Sequence, residues 1–366
     1  MNKSILTMAV ASALAVPTMV FAKDEAKSTG MPSVYGLAHV SYGTLEEKVN
    51  GTTTVDNWQF RSHASRVGVK GKRDFGNGLV GIYKFEWEVN LDGDSTESPT
   101  VFDETVSGVD VNGDGVVGTF EIEHDGTSGF ARRNMYVGLQ GDFGQLRFGR
   151  HDTPLKMSQG KFDQFGDTDA DLKNAGDEDG ENRLDNVLLY MGKFGGVGVA
   201  VAVAPGEDNG TGNVDNGPAD TVSASISYTG GPVYIAVAQD SYANAGNAAK
   251  DSLTRVVGTF KLSGMQIGLL YQTGVEAPDS AAAEEDWLGA SFNAKVGKSG
   301  KIKAQYIQVE DSNNPKLEST LAAVGYDHKF DKKTTGYVMY SKLDEEAAGV
   351  KTLEKSFLGV GMKLKF

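Results

Sequence analysis

The sequence predicts an all-β chain rolled into an antiparallel barrel, with lipid against its outer face and water inside. Three observations carry this reading. Apolar and polar residues alternate with a period of two along much of the chain. Short connections alternate with long ones, and the last segment keeps the alternation to its final residue. In "FLGVGMKLKF", Leu358, Val360, Met362, Leu364 and Phe366 share one parity, and Phe357, Gly359, Gly361, Lys363 and Lys365 the other. A strand sends successive side chains to opposite faces, so this segment has one oily face and one small or charged face. It stops on an aromatic with no polar tail over its edge, as expected of a strand whose edge is paired by closure.

Taken in order, the first 22 residues, "MNKSILTMAVASALAVPTMVFA", read as a secretory signal peptide. They hold an early Lys, an apolar run from Ile5 to Val16, and small residues before the cleavage point after Ala22. Residues 23–366 then form a single barrel domain. Sixteen strands are expected at 33–43, 57–71, 78–90, 130–141, 145–150, 185–194, 197–204, 220–229, 232–242, 251–262, 265–274, 285–297, 301–310, 317–330, 334–343 and 353–366. The alternation is clearest late in the chain. Val256, Phe260 and Leu262 oppose Arg255, Thr259 and Lys261. Leu288, Ala290 and Phe292 oppose Gly289, Ser291 and Asn293, and Ile302, Ala304 and Tyr306 oppose Lys301, Lys303 and Gln305. Inward Arg and Lys would ruin the core of a soluble sandwich, whereas a water-filled lumen accepts them. The connections "KRDFGNG", "GDFG", "GG", "TGGP", "SG", "KSG" and "DKK" are tight, and the others are long, polar and acidic. Short turns at one end and long loops at the other mark an outer-membrane barrel, and sixteen strands leave an aqueous channel.

Composition narrows the function classes. The net charge of −14 argues against nucleic acid as a partner. The absence of cysteine excludes disulfides, thiolate catalysis and thiolate-bound metals. Glycine is abundant, at 47 residues against 9 prolines, which suits strands and turns. No H-E-x-x-H, G-x-S-x-G or P-loop motif occurs, and the five histidines lack ligand spacing. Nothing points to an enzyme or a required cofactor.

One motif stands apart. "DVNGDGVVGTFE", Asp110 to Glu121, matches the calcium-loop pattern D-x-[DN]-x-[DN]-G-x5-E. Asp110, Asn112, Asp114, the Val116 carbonyl and Glu121 are the candidate calcium ligands, with Gly115 at the sharp turn. Phe102, Val106 and Val109 give only a weak helical spacing before it, broken by Gly108, so a paired helix–loop–helix sensor is not expected. The alternatives are an isolated calcium loop in the second extracellular connection, or an acidic, glycine-rich loop that binds nothing in particular.

Several segments together resemble the general-diffusion porins of Gram-negative bacteria. "SRVGVKG" (Ser65–Gly71) is similar to their second-strand motif, and "RNMYVGLQGDFGQLRFGR" (Arg133–Arg150) to the strand pair leading into their third loop. "FDQFGD" (Phe162–Asp167) resembles the tip of that loop, and "YDHKFDKKTTGYVMY" (Tyr326–Tyr340) a late hairpin. The resemblance implies a homotrimer of sixteen-stranded barrels in the outer membrane, in contact with lipid and lipopolysaccharide. It implies passive diffusion of small hydrophilic solutes, a third loop folded into the lumen, and a terminal Phe366 read by the barrel-insertion machinery. A substrate-specific porin or an adhesin-like structural barrel is the alternative. By motif match, Arg66, Arg133 and Arg183, with Lys70 close by, stand at the basic side of a constriction, and Asp163 and Asp167 at the acidic loop. Arg132 and Arg133 cannot both face inward without a bulge. Gln164 and Leu37 stand where relatives carry an acid and a lysine. In the same resemblance the second loop latches onto a neighbouring subunit. The acidic balance leans toward cations, as an electrostatic tendency of the whole chain.

Overall fold

The structure is a computed structural model. It describes residues 31–92, 130–176, 180–206, 218–242, 252–275, 284–311 and 317–366, together with the backbone of 105–109 and 118–121. The expected signal peptide lies outside the described residues.

The wall begins with β1 (Ser33–Val49), β2 (Thr52–Ser62), β3 (Arg66–Gly76) and β4 (Leu79–Val89). A small hairpin, β5 (Thr105–Val109) and β6 (Gly118–Glu121), stands apart from it. The wall continues through β7 (Phe130–Gly141), β8 (Gly144–Asp152), β9 (Arg183–Phe194), β10 (Val197–Ala204), β11 (Thr221–Gly230), β12 (Val233–Tyr242) and β13 (Ser252–Leu262). It ends with β14 (Met265–Val275), β15 (Glu284–Val296), β16 (Gly300–Asp311), β17 (Leu317–Lys329), β18 (Thr334–Ala347) and β19 (Val350–Lys365).

Neighbours in the chain pair antiparallel, and β1 pairs with β19 from Leu37–Lys365 to Val49–Leu353, which closes the cylinder. Phe366 and Gly36 exchange backbone hydrogen bonds at 3.1 and 3.2 Å across this seam. β2 and β3 both pair with β1 and are two halves of one wall strand, so the seventeen segments of the sheet make sixteen staves. Between the halves, Ala38 and His39 of β1 oppose three residues, His63, Ala64 and Ser65. The extra residue, Ala64 at φ +47°, makes a bulge. No residue pattern marks this break within the expected 57–71 strand.

The alternation behaves as expected. Along β14, Ile267, Leu269 and Tyr271 face outward, 45–63% exposed, while Gln266, Leu270 and Gln272 are buried inside. Along β19, Leu358, Val360 and Met362 face out and Phe357 is buried. An exposed oily belt of this extent is untenable in water and is satisfied by acyl chains.

All seven turns predicted tight are tight. Two of the expected long loops are not. β1 and β2 are joined by Asn50-Gly51 (φ +50° and +76°), and β18 and β19 by Ala348-Gly349 (φ +52° and +77°). Both residues of a type I′ hairpin turn need positive φ, which Asn-Gly accepts at little cost. The flanking segments, polar on both sides, continue as strands because each has a partner to hydrogen-bond. The residues before the calcium motif also differ from expectation. Thr105–Val109 is a strand rather than a helical turn, paired with Gly118–Glu121. A β-rich segment containing Thr105, Val106 and Val109 takes the cross-strand partner available to it.

Placing arginine at Leu269, midway along an outward face, is expected to cost about 2–4 kcal/mol of folding free energy in lipid vesicles. Arginine at the lumen-facing Ser227 of β11 should cost less than about 1 kcal/mol. Urea titrations of the two variants measure the difference.

Candidate pore constriction

After β8 the chain turns into the lumen. Thr153 caps a short helix, α1 (Pro154–Ser158), its Oγ1 accepting from the Lys156 N–H at 3.1 Å. Pro154 opens the helix, where its missing N–H costs nothing. The chain then runs along the inner wall to a single 3-10 turn at Leu172–Ala175 and returns to the wall at β9. Residues 153–176 and 180–182 therefore belong to the third of the connections at the loop end and lie inside the barrel.

Aromatic side chains hold it there. Phe162 and Phe165 are fully buried, and each such burial contributes roughly 1.5–3 kcal/mol. Their seats are glycines: a Cβ on Gly289 would lie 2.6 Å from the Phe162 ring, and one on Gly268 or Gly325 would lie 3.1 Å from Phe162 or Phe165. Lys303 reinforces the tip. Its Nζ donates to the Gln164 carbonyl at 3.1 Å, pairs with Asp327 at 3.0 Å and stands 4.3 Å from the Phe165 ring centre. At the loop's base, Arg255 is completely buried, paired with Glu181 at 2.7 Å and donating from Nε to Gln272 at 2.8 Å. Burial raises the Glu181 pKa, and the Arg255 charge pulls it back.

The predicted site residues divide by role. Arg66 and Asp167 meet at 3.1 Å, both partly open to the lumen. Arg133, on β7, pairs with Glu88 at 2.5 Å and Glu86 at 3.3 Å, within the electrostatic reach of Asp167. Arg183 pairs with Asp152 at 2.9 Å and donates to Asn134 at 3.0 Å. Lys70 stands 4.8 Å from the Tyr35 ring centre. These four cations share the inner face of β3, β7 and β9. Asp163 sits differently. Its carboxylate accepts from the backbone N–H of Phe165 at 2.7 Å and of Leu172 at 3.3 Å, so it braces the loop's own turn. Burial raises its pKa, Asp171 adds to the rise, and the two backbone donors oppose it.

The bulge that two adjacent arginines demand is present. Phe85 faces Met135 and Trp87 faces Arg132, leaving Glu86 opposite both Arg133 and Asn134. Arg133 thus points inward, while Arg132 stays largely exposed on the outer face. Leu37, in the place of the expected lysine, lies directly across from Arg66.

Sequence reasoning missed Arg61, which pairs with Asp169 of the loop at 3.0 Å, and the wall acids Glu86, Glu88 and Asp152. In "YKFEWEV" the parity of Lys84, Glu86 and Glu88 against Tyr83, Phe85 and Trp87 is a readable sign of inward charge. Gln59 and Arg61 against Trp58 and Phe60 carry the same sign, and the bulge after Ser62 is what lets Arg61 and Arg66, of opposite parity, share one face. Among the described residues no group of three or more His, Asp or Glu is arranged to hold a metal. Asp110, Asn112, Asp114 and Val116 lie outside the described residues, and Glu121 ends β6.

The result is a closed sixteen-stave barrel with an oily exterior, charged residues on its inner face and an inward third loop. The family model described as Gram-negative porin matches residues 7–348. The chain belongs to the Gram-negative porin family. It is an outer-membrane barrel and a passive diffusion channel for small hydrophilic solutes. The porin is 25% identical to outer membrane porin protein 32 of Delftia acidovorans, over 99% of this chain and 93% of that protein. It is 23% identical to the major outer membrane protein P.IB of Neisseria meningitidis serogroup B, over 82% and 83% of the two chains. Its fold is similar to that of an anion-selective porin from Comamonas acidovorans (TM-score 0.69, 18% identity, 92% and 99% covered). It is also similar to the trimer form of OmpT from Vibrio cholerae (TM-score 0.62, 17% identity, 92% and 99% covered).

Removing Arg255 from the porin strands a buried carboxylate. Arg255→Met is expected to destabilise the loop seat by about 3–5 kcal/mol, and Arg255→Met with Glu181→Met to recover most of that. Single-channel noise and thermal unfolding in detergent read the two effects.

Proposed function

We propose that solutes pass a charged eyelet in which Asp167 and Asp169 of the inward loop face Arg61, Arg66, Lys70, Arg133 and Arg183 on the wall. The observation that carries this reading is the pair of loop-to-wall contacts, Arg66–Asp167 and Arg61–Asp169, at 3.1 and 3.0 Å. Fixed charges of opposite sign on facing walls set up a field across the path, which orients dipolar solutes and screens ions by sign. The acidic whole chain favours cations and the basic wall favours anions, so net ion preference is weak and is set at the eyelet. Transport is the activity, without catalysis, and the signal peptide is removed before the barrel assembles. The working unit is a homotrimer embedded in lipid and lipopolysaccharide and inserted through the barrel machinery that reads Phe366. The OmpT relative, which is described in a trimer form, supports this assembly.

In planar bilayers, 1 M salt should give large linear conductance steps in groups of three. A unit charge about 6 Å from the ion path shifts a cation and an anion by roughly 0.7 kcal/mol each, in opposite directions, in water, so Arg66→Gln at low salt should raise the cation-to-anion permeability ratio about 10-fold. Reversal potentials under a salt gradient measure it, and an unchanged ratio removes Arg66 from the eyelet.

A second reading concerns calcium. The Asp110–Glu121 segment matches the liganding pattern, and the β5–β6 pairing brings Val109 opposite Gly118 at its two flanks, with Glu121 opposite Thr105. The loop takes one Ca2+ and stiffens the outer face near the subunit contact. Calorimetry should show calcium binding that disappears in an Asp114→Ala, Glu121→Ala variant. Equal binding by both proteins would exclude the site.

A further inference from the structure

The inner wall carries an arginine that the eyelet does not use. Arg147 lies on β8, between the tight turn at Asp142-Phe143 and the start of the inward loop at Thr153, and so on the periplasmic side of the eyelet. Parity sets its direction. Phe148 is exposed on the outer face, while Arg147 shares the inner face with Gln145 and the buried His151. Directly across from it are Gly138 of β7 and the fully buried Leu189 of β9. A Cβ on Gly138 would lie 3.3 Å from the Arg147 Cγ, so the stem of the arginine rests over that glycine.

Its partners differ in kind from those of the other inward arginines. Arg61, Arg66, Arg133, Arg183 and Arg255 each have a carboxylate within 3.1 Å. Arg147 has none within ion-pair distance among the described residues, and everything it touches is neutral. Its Nε and Nη2 donate to one oxygen, Gln145 Oε1, at 3.0 and 2.6 Å. Its Nη1 donates to His151 Nε2 at 2.6 Å, and its guanidinium carbon stands 4.5 Å from the centre of the Tyr136 ring.

Both polar partners are themselves oriented. His151 Nδ1 lies 2.8 Å from the Asp152 carbonyl oxygen, which can only accept, so that nitrogen carries the proton. Arginine can only donate, so Nε2 offers it a lone pair and the ring is neutral. Gln145 donates from Nε2 to Gln140 Oε1 at 3.3 Å, which turns its oxygen toward Arg147. A guanidinium has five N–H groups. Gln145 takes two and His151 takes one, which leaves two open, one on each terminal nitrogen. Tyr136 fixes the plane of the fork, and neutral partners leave its charge whole. A seated, partly desolvated fork of this kind matches the two oxygens of a carboxylate or phosphate, which a spherical chloride cannot match.

We propose that Arg147, seated by Gln145, His151 and Tyr136, is a docking residue for the oxyanion group of a permeating solute, a carboxylate or a phosphate, on the periplasmic side of the eyelet. The proposal rests on the channel reading and adds a class of solute to it. The eyelet arginines already have carboxylates, so an anionic solute must compete for them. At Arg147 it displaces only water. The channel therefore holds organic oxyanions briefly as they pass, and neutral solutes of the same size pass without a stop.

The test is single-channel current through the whole porin in 0.1 M KCl, where the screening length is about 10 Å. Glucose 6-phosphate and glucuronate are the probes, and glucose is the neutral solute of similar size. A hexose held at Arg147 obstructs the lumen while it stays, so both anions should reduce the current in a saturable way and glucose should not. Arg147→Gln strands no carboxylate and should raise the half-blocking concentration of both anions about 10-fold. Arg147→Lys keeps the charge without the fork and should raise it about 3-fold. Block by only one of the two anions assigns the seat to that oxyanion. Wild-type block in Arg147→Lys would overturn the fork. Equal block in the wild type and Arg147→Gln, or block by neither anion, overturns the docking residue and leaves the diffusion channel standing. Absence of conductance from the folded wild type would overturn both.

Discussion

A peptide group in hydrocarbon has no water to bond to, and the rest of this structure follows from that constraint. Each N–H and C=O in the membrane must find another backbone. A sheet meets this demand only by joining its two edges, which here is the antiparallel contact between β1 and β19 along thirteen residue pairs. Closure fixes the parity of every stave, because one face must meet lipid. The inner face is thereby released from packing and can carry arginine, lysine and glutamate at positions that would be forbidden in a soluble core.

The inward loop uses a different physics. The wall around it is wet, yet its seat is dry: Phe162 and Leu172 are fully buried against β12 to β17, Phe165 against β17 to β19 and β1, and Arg255–Glu181 is sealed at the base. Apolar burial places the loop, and the ion pairs to Arg61 and Arg66 fix the position of its tip. Asp167 and Asp169 thus sit on a loop whose seat is made by Phe162, Phe165 and Leu172.

Much of this was legible in the sequence. Period-two alternation located the staves and gave the facing of β13, β15, β16 and β19, since oily residues opposite lysines fit lipid outside and water inside. The motif positions of Arg66 and Asp167 led to a pair in contact. What remained hidden depends on contacts remote in sequence. The break at His63–Ser65 is a two-against-three register with β1, and it brings Arg61 and Arg66, of opposite parity, to one face. Asp163 could not be read as a brace, since that role comes from the N–H of Leu172 nine residues on. The Asn50-Gly51 hairpin was readable from its dipeptide, but the polar residues on both flanks masked the strands.

The seats at Gly268, Gly289 and Gly325 carry a consequence for how this channel can change over generations. Each is a place where the wall has no side chain, and the ring of Phe162 or Phe165 occupies the space. Substitution there can only add atoms. The first effect of drift at these three positions is therefore to lift the loop off the wall and into the path, so random change at the seat obstructs the passage before it can widen it.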